Sequence, residues 1–502
     1  MAACGQVVLA AGQTFQRRYD ARDQMMAEDA MGVAVNGNGQ FIVVLGSSFA
    51  VDTLVYGSVA TTLLLDDQGN PLDTNAAFIP GKATYPGWAN VIFPLIQGGI
   101  GVGGSTGDNI TGRPALYLFD SLGQSLGIFE YGVTGEFWVG RQGKQTPDGG
   151  YVICGETSSS GTSQDGFLLK IDSAFNQEWV QTYGLPNKQE YTSSVDLALG
   201  GGYYLGGQQQ QADPADYDQW VLRVDSAGEV IWANNYGTPF DDYSLAHVTT
   251  AANGACLMAS GLTTTSFDFG KLSLACIDPG GTVLWSKTYD SEDFTSLFFT
   301  VKEIVANGDL VAAGRSYLPG YRHGAIIRTN SAGDSLWLRY YHYYDSLWTE
   351  GRGGFRDVIA TPAGGFIAVG TAYGSNNPDD PPIYSQDTWV VKVDSLGCLI
   401  PGCDTVTGIT TQITNLRDAL TLSPNPASES VHIAWSLPSA FREKGEAQLS
   451  VVSSTGALVR EVGIDLSRGG YDLVVSALAP GIYHLHLVQD GVWITGAKLV
   501  VE

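Results

Sequence analysis

Basic residues are scarce. Only 26 Lys and Arg stand against 51 Asp and Glu in 502 residues, a formal net charge of −25. A nucleic-acid binder needs a basic stripe to displace phosphate counterions, and none is visible. The same deficit argues against an anionic membrane surface as partner and describes a soluble, acidic surface in an exposed or salty setting. No apolar run reaches the roughly 18 residues of a membrane span. Helical periodicity is missing, and so are the G-x-S-x-G and Walker A motifs. The six His (His247, His323, His342, His432, His484 and His486) are scattered and offer no metal-ligand spacing. Neither a cofactor nor a metal is expected, and no catalytic residue stands out.

Cysteine is also sparse. Cys398 and Cys403 flank Pro401-Gly402 in a loop-like stretch. In a secreted chain that spacing suggests a local disulfide, with two free thiols as the alternative. Cys154, Cys256 and Cys276 fall within predicted strands and read as buried thiols. Residues 1–12 are apolar, with small residues Ala10 and Gly12 before Gln13. They are similar to the end of a signal peptide, without its basic start.

Glycine, by contrast, is abundant at 64 residues, and 44% of the chain is hydrophobic. That is ample core for a globular, β-rich chain, and the length suggests one large domain with a smaller companion. Self-similarity recurs at about 52 residues, a period that marks propellers or arrays. One half of the unit is GGYVICG at 149–155, which recurs as NGQFIVVLG (38–46), GGIGVGG (98–104), GGYYLGG (201–207), NGACLMASG (253–261), NGDLVAAG (307–314) and GGFIAVG (364–370). The other half is FLLKIDSAFNQEWVQTYG at 167–184 and its counterparts. Its turn carries Asp66, Asp120, Asp172, Asp225, Asp278, Asn330 or Asp394, followed three residues on by Gly69, Gly123, Phe175, Gly228, Gly281, Gly333 or Gly397. Asp bonds its own backbone in such a turn and Gly takes positive φ, so these acids read as structural, with calcium as the weaker alternative.

Each unit yields four short strands, in the fourth repeat near 193–199, 203–205, 220–224 and 230–235. The last unit stops at 394–397 without its fourth strand. Residues 14–20 carry the aromatic-x-x-x-Tyr spacing of Trp179 and Tyr183, and of Trp285 and Tyr289. The expected fold is therefore all-β: a seven-bladed β-propeller over 13–403, its last blade closed by an N-terminal strand. Closure is preferred to an open solenoid because it removes exposed sheet edges. These Gly-Gly-Tyr and Asp-Ser-x-Gly-x-x-x-Trp repeats resemble those of secreted Bacteroidetes propeller proteins over 14–403.

A Thr-rich linker is expected at 404–416 and a small Ig-like β-sandwich at 417–502. The tail resembles the type A sorting domain of the type IX secretion system. The resemblance rests on Pro424, Asn425, Pro426 and Ala427, on Ser454-Thr455-Gly456, on Leu478, Pro480, Gly481, Ile482 and Tyr483, and on Lys498 to Val501. It implies that 417–502 engages the secretion machinery, that the domain is removed during export, and that the protein is secreted or sits on the outer cell surface.

Two features are candidates for recognition. Just before each inner strand lie Trp88, Phe137, Tyr191, Tyr243, Phe294 and Phe355, with Ala30 in the remaining repeat, and Asp29, Glu136, Glu190, Asp242 and Asp293 precede five of these positions. Repeated packing between blades is the leading reading; the functional one is an aromatic, acid-rimmed channel mouth suited to a glycan or protein ligand. The long, varied connections at 156–165, 208–218, 262–270, 315–323 and 371–387 share that face. The run from Tyr340 to Tyr344, with Trp348, is a second exposed-aromatic candidate, against a reading as strand and loop. Gly99 to Gly104 superficially imitates a dinucleotide loop, but no helix follows. The expected function is a monomeric binding, adhesion or structural module. The alternative, an extracellular polysaccharide-active hydrolase or lyase on the same scaffold, requires convergent titratable groups.

Overall fold

The computed structural model describes residues 14–502 apart from 20–27, 52–54, 108–111, 133–136, 159–163, 214–215, 241, 243–244, 264–269, 290–295, 319–320, 345–351, 374–385, 407–410 and 417. Residues 1–12 and Trp348 lie outside the described residues. The fold is all-β, and among the described residues the only α-helix is Ser439–Lys444.

Each repeat folds into an antiparallel sheet of consecutive strands. In the fourth these are Glu190–Leu197, Tyr203–Gln210, Tyr217–Val224 and Val230–Asn235. Sheets of the same order begin with Glu28–Val35, Phe137–Gln145 and His247–Thr250, while in the second repeat Ala83–Tyr85 and Ile92–Pro94 both pair with Ile100–Gly107 to give five strands. The four strands from Leu297–Glu303 to Ser335–His342 open a larger, nine-stranded sheet. In the last sheet Arg352–Ala360, Phe366–Tyr373 and Gln386–Val393 are joined by Phe15–Tyr19, with Phe15 opposite Lys392 and Tyr19 opposite Thr388. The expected N-terminal strand is in place. Each sheet packs on the next, and Glu28–Val35 packs back on Arg352–Ala360 and Phe366–Tyr373.

Middle strands such as Tyr151–Ser158 are buried almost throughout, without alternation, because neighbouring sheets cover both faces. Fourth strands such as Val283–Tyr289 alternate between exposed and half-buried residues.

The repeat motifs acquire physical roles here. Asp225 Oδ1 accepts the N–H groups of Ala227 and Glu229 at 2.8 and 2.9 Å, and Gly228 follows at φ 82°. The other turn Asp residues and Asn330 make the same pair of bonds. The Tyr183 hydroxyl of the preceding sheet donates to the Gly228 carbonyl at 2.9 Å. Tyr236, Tyr289 and Tyr341 reach Gly281, Gly333 and Gly397 in the same way, at 2.8, 2.7 and 2.7 Å. The rings of Trp179, Trp232, Trp285 and Trp337 occupy the space a Cβ on those glycines would need. The aromatic-x-x-x-Tyr spacing thus keys four of the sheets into the turn of the next. Phe15 packs on Gly69, and the Tyr19 hydroxyl donates to its carbonyl at 2.6 Å.

A second lock lies where the first strands bulge, at Ala30/Gly32, Gly140/Gln142, Thr192/Ser194, Phe298/Thr300 and Phe355/Asp357. Gln142 Oε1 accepts the Val195 N–H at 2.8 Å, Ser194 Oγ accepts the Val248 N–H at 3.0 Å, and Asp357 Oδ2 accepts the Val33 N–H at 3.1 Å.

In the tail, Leu420–Ser423, Ser430–Trp435 and Gly470–Val474 form one sheet, while Glu446–Ser453, Leu458–Asp465, Gly481–Gln489 and Val492–Val501 belong to the nine-stranded sheet. Leu449, Leu473, Leu485 and Leu499 lie in the core between them. Within 404–416, Thr411–Ile413 runs parallel both to Ser335–His342 and to Val492–Val501. Cys398 and Cys403 form a disulfide. Leu399, Ile400 and Val406 pack with it against Val452, Val488 and Trp493 of the tail.

The Tyr340–Tyr344 run is the end of a strand and the loop after it, as one of its two readings had it, and this junction rules out the exposed-aromatic reading. Tyr340, Tyr341 and Tyr343 are buried, and Tyr344 packs on Phe441, because Thr411–Ile413 and the tail cover that strand. Cys154, Cys256 and Cys276 are buried free thiols. Burial pushes the Cys154 thiol up to about 12.

Candidate functional site

The first strands bulge toward one another, and the bulges decide which side chains meet. A bulge leaves one residue unpaired and re-aims its side chain. Arg141, Phe299 and Arg356 are those extra residues in three different sheets. They meet around Trp88, which a tight loop presents. Gly87 adopts φ 78°, and a Cβ there would overlap the Arg141 carbonyl oxygen. The Arg356 guanidinium lies 4.6 Å from the centre of the Trp88 ring and 4.5 Å from that of Phe299, and Arg141 approaches Trp88 at 5.8 Å. Such stacking holds flat cations against aromatic faces. Glu156 pairs with Arg141, and Asp29 pairs with Arg356 at 3.3 Å while also accepting the Thr371 hydroxyl.

The sequence candidates do not share one position. Phe355 immediately precedes its bulge, Tyr191 lies two residues before one, and Phe137 four before. Phe355 is fully buried and stacks on Trp389 at 4.7 Å. Tyr191 is half-buried and stacks on Tyr217, and burial pushes its hydroxyl up to about 12. Trp88 and Phe137 are each 39% exposed, enough to meet a ligand. Tyr243 and Phe294 lie outside the described residues, as do Glu136 and Asp293 and most of the connections 262–270 and 371–387.

The acids that are described turn inward. Glu190 accepts the Leu185 N–H at 3.2 Å, and burial raises its pKa. Asp242 accepts the N–H groups of Thr238 and Thr263 at 2.8 and 2.6 Å, and burial pushes it up to about 6. Both hold loops, and Asp29 is neutralised by Arg356. Sequence reasoning missed Arg141, Phe299 and Arg356. Their only signal is that each precedes a polar residue, Gln142, Thr300 or Asp357, inside an otherwise apolar strand.

Gly101 and Gly103 belong to the strand Ile100–Gly107, where a Cβ would strike the Phe93 ring and the Gly143 backbone. These glycines serve close sheet packing. Among the described residues no group of three or more His, Cys, Asp or Glu side chains is placed to hold a metal ion. No helix among them is long and apolar enough to cross a membrane.

Residues 421–502 match the family described as the secretion system C-terminal sorting domain. The chain therefore carries the export domain of the type IX secretion system and is delivered to the cell surface or the medium. No curated protein matches the sequence. Among solved structures, the Penicillium chrysogenum α-L-arabinanase complexed with arabinobiose is 10% identical, with TM-score 0.39, over 61% of this chain and 93% of that one. The Pyrococcus horikoshii acylaminoacyl peptidase is 9% identical, with TM-score 0.41, over 83% of this chain and 59% of that one. Likenesses at this level specify no activity.

Proposed function

We propose that the repeat sheets are the seven blades of a closed β-propeller, with Phe15–Tyr19 as the outer strand of the last, and that the exported chain is a binding module. Support for the closed ring is the packing of Glu28–Val35 on the last sheet and the reach of Tyr19 to Gly69. The tail, in this reading, is an Ig-like sandwich that serves delivery. The observation that carries the binding role is the Arg141–Trp88–Arg356–Phe299 cluster, which gathers cations and aromatic faces from four repeats, with Trp88 39% exposed. A glycan or an extended peptide suits such a surface, since aromatic faces take apolar ring or chain surface and guanidinium groups take oxygens.

The test is a glycan and peptide array probed with the full chain and with Trp88→Ala. The expected result is a defined ligand class whose binding weakens at least tenfold in the variant. Silence on both arrays, or equal binding by the variant, overturns the reading. Cleavage of a bound glycan would replace it with the hydrolase alternative.

A further inference from the structure

Beside the Trp88 cluster the charge balance reverses. Three arginines, Arg315, Arg322 and Arg356, line one small cavity of about 30 Å³ together with Phe299, Thr371 and Tyr373. In a chain of net charge −25 this concentration of positive charge needs an explanation. Among the described residues one carboxylate reaches it: Asp29, 3.3 Å from Arg356. Arg322 donates from Nε to the Tyr317 hydroxyl at 2.7 Å, a neutral partner. Arg315 makes no ion pair with a described residue, and its Nε is buried without a hydrogen-bond partner, as is Nη1 of Arg356. The Arg315 guanidinium lies 5.6 Å from the centre of the Phe299 ring, which fixes its plane but accepts none of its N–H groups conventionally.

Unsatisfied buried donors are costly, and charged ones more so. Burial, and then the neighbouring charges of Arg322 and Arg356, push the Arg315 pKa down to about 10. Propellers have no need of such an arrangement for folding: the locks between sheets described above use tyrosine, glutamine, serine and aspartate. Neither does the cavity collapse, because it is walled by backbone at Gly353 and Gly354 and by strands of two sheets.

We infer that this cavity is a binding site for the carboxylate of an acidic sugar unit, held by Arg315, Arg322 and Arg356. A guanidinium fork matches a carboxylate in two parallel hydrogen bonds, and all three arginines line the cavity. Roughly 10–15 Å³ holds one water-sized group, so the cavity admits a carboxylate head and excludes a whole ring. The ring would remain outside the cavity, whose lining includes the aromatic Tyr373. Binding is non-covalent, and no bond is made or broken.

The inference rests on the binding-module reading and names its ligand class. Its test uses the full chain, sodium D-glucuronate, D-glucose and sodium sulfate, followed by calorimetry and thermal melting, with Arg315→Met and Arg322→Gln as variants. Glucuronate should bind and raise the melting temperature, glucose should not at equal concentration, and each variant should weaken glucuronate binding at least tenfold. Arg315→Met should melt no lower than the parent protein without ligand, because it removes an uncompensated charge. A parent protein that binds sulfate but not glucuronate, or a variant that binds glucuronate as well as the parent, overturns the carboxylate site. If neutral glycans bind on the array while glucuronate does not, this inference fails and the binding-module reading stands; if nothing binds in either experiment, both fail.

Discussion

The Asp357 carboxylate accepts the Val33 backbone N–H at 3.1 Å, across 324 positions of sequence. The same carboxylate takes Lys302 Nζ at 2.6 Å through its other oxygen. Asp357 is fully buried, so one side chain binds three successive sheets: that of Lys302, its own, and that of Val33. Removing one partner of a buried ion pair strands the other charge.

Asp357→Ala should therefore cost about 3–5 kcal/mol, the range for a broken buried pair. Asp357→Asn, which still accepts from Val33, should cost less. Chemical denaturation of both variants checks the order. Equal, small losses would show that the lock does not hold the three sheets together.

At Gly69, Gly228, Gly281, Gly333 and Gly397 the glycine three residues after the turn Asp or Asn is required twice over, by its positive φ and by the aromatic ring above it. Gly228→Ala should cost about 2–4 kcal/mol, combining a left-handed penalty of 1–2 kcal/mol with displacement of Trp179. Phe175, at φ 66°, is the exception, and its ring stacks on Phe129 at 4.1 Å. Phe175→Gly should relieve the backbone yet still destabilise, by about 1 kcal/mol, through the lost stacking and burial. Thermal melts of the two variants decide the matter, and a stabilising Gly228→Ala would refute it.

His486 makes the junction with the tail sensitive to acid. Its Nε2–H donates to the Pro401 carbonyl at 3.1 Å and its Nδ1 accepts from Trp493 Nε1 at 3.2 Å, so the neutral ring fits. Burial lowers its pKa from 6.5 to about 4. Between those values the unfolded chain binds more protons than the folded one, so stability is full above 6.5 and falls as pH drops toward 4. The loss from pH 7 to pH 4.5 should be larger in the parent protein than in His486→Gln, by a few kcal/mol at most. Denaturation curves at both pH values measure it, and parallel losses in the two proteins would dismiss the role of His486.

The disulfide hairpin anchors the strand Thr411–Ile413. Gln412 Oε1 accepts the Leu399 N–H at 3.0 Å, and its Nε2 donates to the Gly397 carbonyl at 2.7 Å. Replacing Cys398 and Cys403 by serine should cost about 2 kcal/mol, as expected for so short a loop. It should also hasten proteolysis within 404–416 while the rest of the repeat resists. Unchanged cleavage there would show that the hairpin is not the anchor.

Turn chemistry was legible because it is local. Asp225 and Gly228 need only each other and their own backbone, so spacing alone reveals them. The place of Phe15–Tyr19 was legible because its aromatic spacing recurs at Trp179 and Tyr183 and at Trp285 and Tyr289 on other fourth strands. The Arg141–Trp88–Arg356 cluster was not. A bulge shifts the facing of every side chain around it, and a one-residue slip is invisible in a strand that is apolar on both faces. Burial of the Tyr340–Tyr344 run was hidden for another reason: it depends on a strand some seventy residues away that pairs in parallel, and parallel pairing leaves no turn signature.

Thr411–Ile413 also has a mechanical consequence. Because it lies parallel to strands on either side, a pull on the tail along its axis loads the flanking hydrogen bonds in shear, all at once, rather than opening them one by one like a zipper. The short strand therefore ties the sixth repeat to the export domain along the direction in which its hydrogen bonds resist most.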